Sequence, residues 1–168
     1  MEFKTLDELS EENKEKRAEE ILKRPFYKKV WFYLTILFCI MFIFNLKFSI
    51  IIVQGQSMEP TYHEGNVRLA LRQPIIDRYD AVCIRTNDRI LIKRVIGLPG
   101  ETVEYRDNML YIDGQAIVDN YNHGKTSDFY VELGNDEYWC LGDNREHSMD
   151  SRVYGSFNLN QLLGELIK

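Results

Sequence analysis

Cysteine and histidine are scarce in this chain of 168 residues, with three of each. Cys39, Cys83 and Cys140 form no CxxC pair, and Cys39 lies within an apolar run. Neither a disulfide framework nor a zinc knuckle is therefore expected. His63, His123 and His147 lack the spacing of paired metal ligands, so no metal and no other cofactor is implied. An excess of positive charge is missing too. The formal net charge is -5, which argues against a nucleic-acid partner. There is no internal repeat and no low-complexity tract.

What charge there is falls unevenly. Residues 1–29 are densely charged and read as a solvated helix. Thr5-Leu6-Asp7-Glu8 has capping-box spacing. Glu19 with Lys23 and Glu20 with Arg24 lie four apart in the favourable order, and Pro25 breaks the pattern. The run from Val30 to Phe44 then carries no charge. With Asn45 and Leu46 it spans about 25 Å at helical rise, the short end for a membrane span. It is apolar on every face and rich in aromatics, unlike the one-sided helix of a soluble core. Trp31 and Tyr33 sit near one end, as interfacial residues do. The leading segment is long for a signal peptide and no small-x-small site follows, so an uncleaved anchor is expected. Lys23, Arg24, Lys28 and Lys29 precede it closely, and only Lys47 follows closely. The positive-inside rule makes residues 1–29 cytoplasmic, 30–47 the transmembrane anchor and 48–168 an extracytoplasmic domain.

That domain reads as mainly β, an antiparallel sheet or partly closed barrel. Expected strands are Phe48 to Val53, Val67 to Arg72, Asp80 to Arg85, Arg89 to Ile96, Thr102 to Tyr105, Met109 to Ile112, Ala116 to Val118, Phe129 to Leu133 and Tyr138 to Leu141. Pro99-Gly100, Asp107-Asn108 and Asp113-Gly114 mark turns between them.

Three segments carry chemistry. Ser57 lies in Gln54-Gly55-Gln56-Ser57-Met58-Glu59-Pro60-Thr61, where a glycine permits a sharp turn and a proline fixes the exit. Such a turn can present a hydroxyl together with its own backbone N–H. Lys93 lies in a strand whose alternation groups it with Leu91 and Val95, while Ile90, Ile92, Arg94 and Ile96 face the other way. Desolvation beside apolar neighbours lowers a lysine pKa, and a neutral lysine can take the proton of Ser57. Arg94 points to the opposite face, so Arg94→Gln is expected to leave the alkaline rise that reports Lys93 in place. Gly142 to Arg152 packs two serines, two arginines and three acids into eleven residues, enough for a dense hydrogen-bond network. A bare surface turn or a snorkelling lysine would explain any one segment alone.

Together the segments resemble the bacterial type I signal peptidase family, membrane-bound serine peptidases with a serine–lysine dyad. The matching strings are GxSMxPT at Gly55–Thr61, KRVIGLPGE at Lys93–Glu101 and GDNRxxSxDSR at Gly142–Arg152. The resemblance implies Ser57 as nucleophile and Lys93 as general base, with Ser148 orienting the lysine amine. Asp150 would hold the local structure with Arg152. The Ser57 N–H would donate to the oxyanion. Val53, Met58, Leu91 and Ile92 would line small apolar pockets for alanine-sized side chains. The implied partners are preproteins with a small-x-small cleavage site, and membrane lipid.

Two departures stand out. Some relatives carry a serine two places before the nucleophile, whose hydroxyl completes the oxyanion hole; here it is Gly55, and a second donor is unassigned. The stretch between the lysine and GDNR motifs is short, so the large extra β-domain of some relatives is absent. Lysine at position 93 also argues against the endoplasmic-reticulum type, which has histidine. Competing readings are a serine–histidine triad around His147, Ser148, Asp143 and Asp150, a non-catalytic signal-peptidase-like pilus assembly factor, and a soluble self-cleaving repressor. Adjacent side chains on an extended segment point apart, which disfavours the triad. The assembly factors lose the dyad, which is present here. A repressor would not need the anchor, and no Ala-Gly self-cleavage dipeptide is visible.

Overall fold

The structure is a computed structural model that describes residues 6–22, 26–72 and 75–167. It divides into two units, 1–44 and 45–168. The expected cap at Thr5, the ion-pair partners Lys23 and Arg24, and Pro25 lie outside the described residues.

The first unit is helical. Helix α1 spans Leu6–Leu22 and α2 spans Phe26–Lys47. Within α2 the stretch Lys28–Lys47 is 20 residues long with a mean hydropathy of 1.9. It is long and apolar enough to cross a membrane. The helix starts before Val30, because Lys28 and Lys29 are good helix formers and nothing after Phe26 interrupts it. Inside the apolar stretch the Thr35 hydroxyl donates to the Trp31 carbonyl at 2.8 Å, so its polar group is satisfied within the helix.

The second unit is built from two antiparallel sheets. Strands β1 (Phe48–Ile52), β2 (Val67–Leu71), β3 (Ala81–Arg85) and β4 (Ile90–Gly97) come first. Then follow β5 (Thr102–Arg106), β6 (Met109–Ile112), β7 (Gln115–Ile117), β8 (Phe129–Glu132) and β9 (Glu137–Leu141). A one-turn helix, α3 (Ser151–Tyr154), precedes β10 (Phe157–Asn158) and β11 (Leu162–Leu166). The larger sheet has seven strands in the order β1-β2-β11-β3-β4-β9-β10, and the smaller has four in the order β7-β6-β5-β8. Among the described residues β1 and β10 do not pair, so the hydrogen-bonded ladder stays open.

Alternation along β4 distributes its side chains among three apolar clusters. Ile96 packs with Val103, Tyr105, Leu133 and Trp139. Ile92 packs against Val53, Met58, Tyr62 and Cys83. Leu91 and Val95 pack with Val82, Ile84 and Cys140. On one side β4 pairs with β3 from Ile90 to Arg94. On the other it meets β9 only from Arg94 onward, in the register Arg94↔Leu141. Residues 90–93 therefore form an open edge.

Two strands, β10 and β11, and helix α3 are additional to the strands expected from sequence. The omission of β11 matters most, because it lies inside the large sheet between β2 and β3. Gly164 and Glu165 weaken its strand pattern. The structure shows why the glycine is there: a Cβ at Gly164 would lie 2.5 Å from the Leu71 carbonyl oxygen, a backbone atom that cannot swing aside. Gly164→Ala should therefore pry β11 from β2 and destabilise the domain by about 1–3 kcal/mol. Urea denaturation of the variant beside wild type reads the loss, and an unchanged midpoint would contradict this packing.

Candidate active site

The Ser57 loop is pinched off between β1 and β2. Val53 N–H donates to the Asn66 carbonyl and Gly65 N–H to the Val53 carbonyl, both at 2.9 Å. Gly55 has φ +78, a left-handed conformation that a side chain would strain. After Ser57 the chain makes a helical turn, closed by Tyr62 N–H to Met58 carbonyl at 2.9 Å. Met58 is buried beneath it against Val53 and Tyr62. The loop thus has an apolar root directly next to Ser57, which is itself half-buried.

Lys93 reaches this loop from β4. Its Nζ donates to Ser57 Oγ at 2.7 Å and to the Ile92 carbonyl at 2.9 Å. The side chain is 3% exposed.

The segment from Gly142 to Arg152 closes the site from behind. A Cβ at Gly142 would lie 2.2 Å from Ser148 Oγ and 2.5 Å from the Ser57 carbonyl oxygen. Only glycine allows this approach. Gly142 N–H donates to Asp150 at 3.0 Å, and Arg152 clasps the same carboxylate through Nε and Nη2, each at 2.8 Å. Asp150 also caps α3 by accepting from the Arg152 N–H. Burial alone would push the Asp150 carboxyl up. The Arg152 hydrogen bonds and the Gly142 N–H outweigh it and hold the group below the usual carboxylate range.

The Ser148 Oγ is buried and helps hold the Asp150 carboxyl down, and no hydrogen bond joins it to Lys93 among the described residues. His147 is exposed, and its Nδ1 lies 3.2 Å from Asn144 Oδ1. It bonds to no serine among the described residues.

Sequence reasoning overlooked the buried charges around the site. Arg94 lies beside Lys93 in β4 and is held by Asp143. It is 1% exposed and grips Asp143 through Nε at 2.7 Å and Nη2 at 2.6 Å. Its Nη1 donates to the Tyr79 carbonyl at 2.7 Å, and its guanidinium lies 3.5 Å from the centroid of the Tyr121 ring. Arg145 is equally buried. It bonds the Gly142 carbonyl, Tyr105 Oη at 2.6 Å and Asp119 at 2.7 Å. A charged residue in mid-strand between buried apolar neighbours was the one available signal for Arg94. Removing one partner of such a pair leaves the other charged and unpaired, at a cost of about 3–5 kcal/mol.

Comparison with known proteins agrees with this arrangement. Residues 27–167 match the family model described as signal peptidase, peptidase S26. The chain belongs to the signal peptidase family. It is 34% identical to signal peptidase I V of Bacillus subtilis, over 82% of this chain and 95% of that protein. It is 28% identical to signal peptidase I of Streptococcus pneumoniae, over 67% of this chain and 77% of the other. A crystal structure of a signal peptidase I from Enterococcus faecalis superposes with a TM-score of 0.52 at 35% identity, covering 56% of this chain and 98% of that one. As a member of the signal peptidase family the chain is a serine peptidase, a hydrolase. The serine–lysine dyad is typical of the family.

In this signal peptidase fold, a groove of ≈ 670 Å³ leads to Ser57 and Lys93. Val53, Met58, Leu91 and Ile92 all line it, between β1 and the open edge of β4. Desolvation by the apolar surroundings pulls the Lys93 pKa down from 10.5 to about 8, against the opposing pull of Asp150, Asp143 and Cys140. Such a shift has a thermodynamic sign. Below pH 8 the folded lysine holds its proton in a place that resists it, and folding bears that penalty. Between about 8 and 10.5 the unfolded lysine still binds a proton that the folded one has lost, so stability rises with pH. Lys93→Met removes the penalty. The variant should be more stable than wild type at pH 6.5 by about 3 kcal/mol, since each pKa unit is worth about 1.4 kcal/mol. The advantage should vanish toward pH 10.5. Denaturation of both proteins in detergent across this range tests it; a less stable variant at pH 6.5 would show that Lys93 is not desolvated.

Proposed function

We propose that this chain removes signal peptides from exported preproteins, with Ser57 as nucleophile and Lys93 as general base. The observation that carries the assignment is the 2.7 Å contact between Lys93 Nζ and Ser57 Oγ in a desolvated setting. Neutral Lys93 takes the hydroxyl proton as Ser57 Oγ attacks the scissile carbonyl. The oxyanion forms against the Ser57 N–H, which meets no acceptor among the described residues. Collapse leaves an ester on Ser57 and returns the proton from Lys93 to the departing amine. A water molecule then adds to the ester as Lys93 accepts its proton, and collapse breaks the bond to Ser57 Oγ, which takes that proton back as the new carboxyl end leaves. Asp150 and Arg152 hold the rear wall. The Ser148 hydroxyl, buried beside Asp150, steadies the lysine amine.

The groove fits an extended peptide laid along the free edge at residues 90–93, with main-chain hydrogen bonds as the adhesive. Buried Val53 and Met58, with Leu91 and Ile92, give the groove apolar walls that suit small side chains such as alanine. Helix α2 serves as the anchor, and Lys28 and Lys29 in its first turn favour a cytoplasmic N-terminus. Residues 1–29 are then a cytoplasmic segment, 30–47 the transmembrane anchor and 48–168 the extracytoplasmic catalytic domain. Ile50 and Ile52 on β1, 69% and 59% exposed, follow directly after the anchor and offer an apolar edge to membrane lipid. The reading as a non-catalytic assembly factor is not favoured, since the dyad residues are in contact.

Ser57→Ala and Lys93→Met should each lower kcat by about 10³-fold or more while the protein stays folded, because the two groups act as one unit. Near-normal cleavage of a preprotein by either variant would overturn the dyad. The pH profile of wild-type kcat/KM should climb about tenfold per unit below pH 8 and flatten above it, as neutral Lys93 accumulates; a flat profile would exclude lysine as the base. Preproteins with Leu or Phe in place of Ala immediately before the cut should be cleaved poorly, and equal rates would reject the groove as the specificity element.

A further inference from the structure

The geometry points to Asn144 as a positioning residue that orients the Ser57 peptide group toward the oxyanion. This rests on the reading of Ser57 as nucleophile. Asn144 holds both peptide groups that flank Ser57. Its backbone N–H donates to the Ser57 carbonyl at 3.1 Å, and its side-chain Nδ2 donates to the Gln56 carbonyl at 3.2 Å. Gln56 O also accepts from Glu59 N–H at 3.1 Å, so two donors fix the direction of that carbonyl.

The Gln56 carbonyl and the Ser57 N–H belong to one planar peptide group. The Gln56–Ser57 bond is trans; the cis bond in this loop is Glu59-Pro60. In a trans peptide the C=O and N–H point in opposite directions. Drawing the carbonyl toward Asn144 therefore turns the N–H to the far side, away from the 142–152 segment. Hydrogen bonding at the carbonyl end also polarises the amide, which makes the N–H a stronger donor. The amide of Asn144 can face only one way, because a carbonyl acceptor requires the NH₂ end. His147 Nδ1, 3.2 Å from Oδ1, engages the other end. Asn144 itself is set in place by the neighbours in sequence, Asp143 on Arg94 and Arg145 on Asp119. With no side chain at Gly55 to supply a second donor, the Ser57 N–H bears more of the stabilisation, and its aim matters correspondingly.

An interaction that develops only with the oxyanion affects kcat and leaves ground-state binding alone. The test uses the full chain in detergent with a preprotein and with two small ligands. One is a peptide ending in an alanine aldehyde, whose carbonyl carbon bonds to Ser57 Oγ while the hydroxyl proton passes to Lys93. The other is the same peptide ending in a free alanine carboxylate. Asn144→Asp and Asn144→Ala keep the backbone N–H but lose the side-chain donor. Both should lower kcat by about 10- to 100-fold, less than deleting an oxyanion donor outright, with KM unchanged. Aldehyde affinity should fall by the same factor and carboxylate-peptide affinity should hold. His147→Ala at the exposed flank, where folding is not in question, should lower kcat by a smaller factor in the same pattern. Wild-type kcat in Asn144→Asp, or parallel loss of affinity for both peptides, would overturn the assignment. Ser57→Ala is measured alongside. Activity there would refute the nucleophile itself, whereas an inactive Ser57→Ala beside a fully active Asn144→Asp would refute only the role of Asn144.

Discussion

The bidentate pair between Arg94 and Asp143 is the contact on which the rest of the site depends. It joins the middle of β4 to the start of the 142–152 segment, one residue from Lys93 on one side and one residue from Gly142 and Asn144 on the other. Taking two ions out of water is costly, and geometry must repay it. Here the guanidinium has two carboxylate oxygens, the Tyr79 carbonyl and the face of Tyr121. With that pair in place, Gly142 can sit against the Ser57 carbonyl and Asn144 can reach Gln56.

The same pairing governs the electrostatics of Lys93. Asp143 and Asp150 both favour the ammonium, and an unpaired acid in either place would hold the proton on. Each acid instead has its own arginine, Arg94 and Arg152. Arg152 offsets part of their pull on the lysine, and desolvation outweighs what remains. A buried basic residue can thus lie among acids and still lose its proton at about pH 8. The arrangement also explains why so much ionic structure surrounds a groove whose walls are apolar.

Several elements were legible in the sequence for clear reasons. The apolar run of α2 has no charge to interrupt it, and the alternation of Leu91, Lys93 and Val95 assigns their face whatever the neighbours are. The strands from β1 to β9 are bounded by turn residues. β11 was not legible, because its glycine answers to a carbonyl of β2 that is remote in sequence. The pairing of Arg94 with Asp143 was not legible for a related reason. Strand alternation tells which side a residue faces, but not whether an acid from another segment waits there. The 142–152 segment was recognised as a polar network by composition, yet its partners Asp119 and Tyr105 come from parts of the chain with no motif.

The sequence by itself determined the order of parts: a charged leader, an apolar helix, a β-rich domain, and three motifs that name the family. It could do so because periodicity, charge and motif spacing are properties of neighbours along the chain. Only the tertiary structure decided that Lys93 Nζ meets Ser57 Oγ, that the edge of β4 stays open beside them, and that Asn144 grips the peptide group before the serine. Those contacts join residues 36 and 88 positions apart. Their formation depends on how the sheet curves and on which buried charges find each other, and no local pattern specifies either.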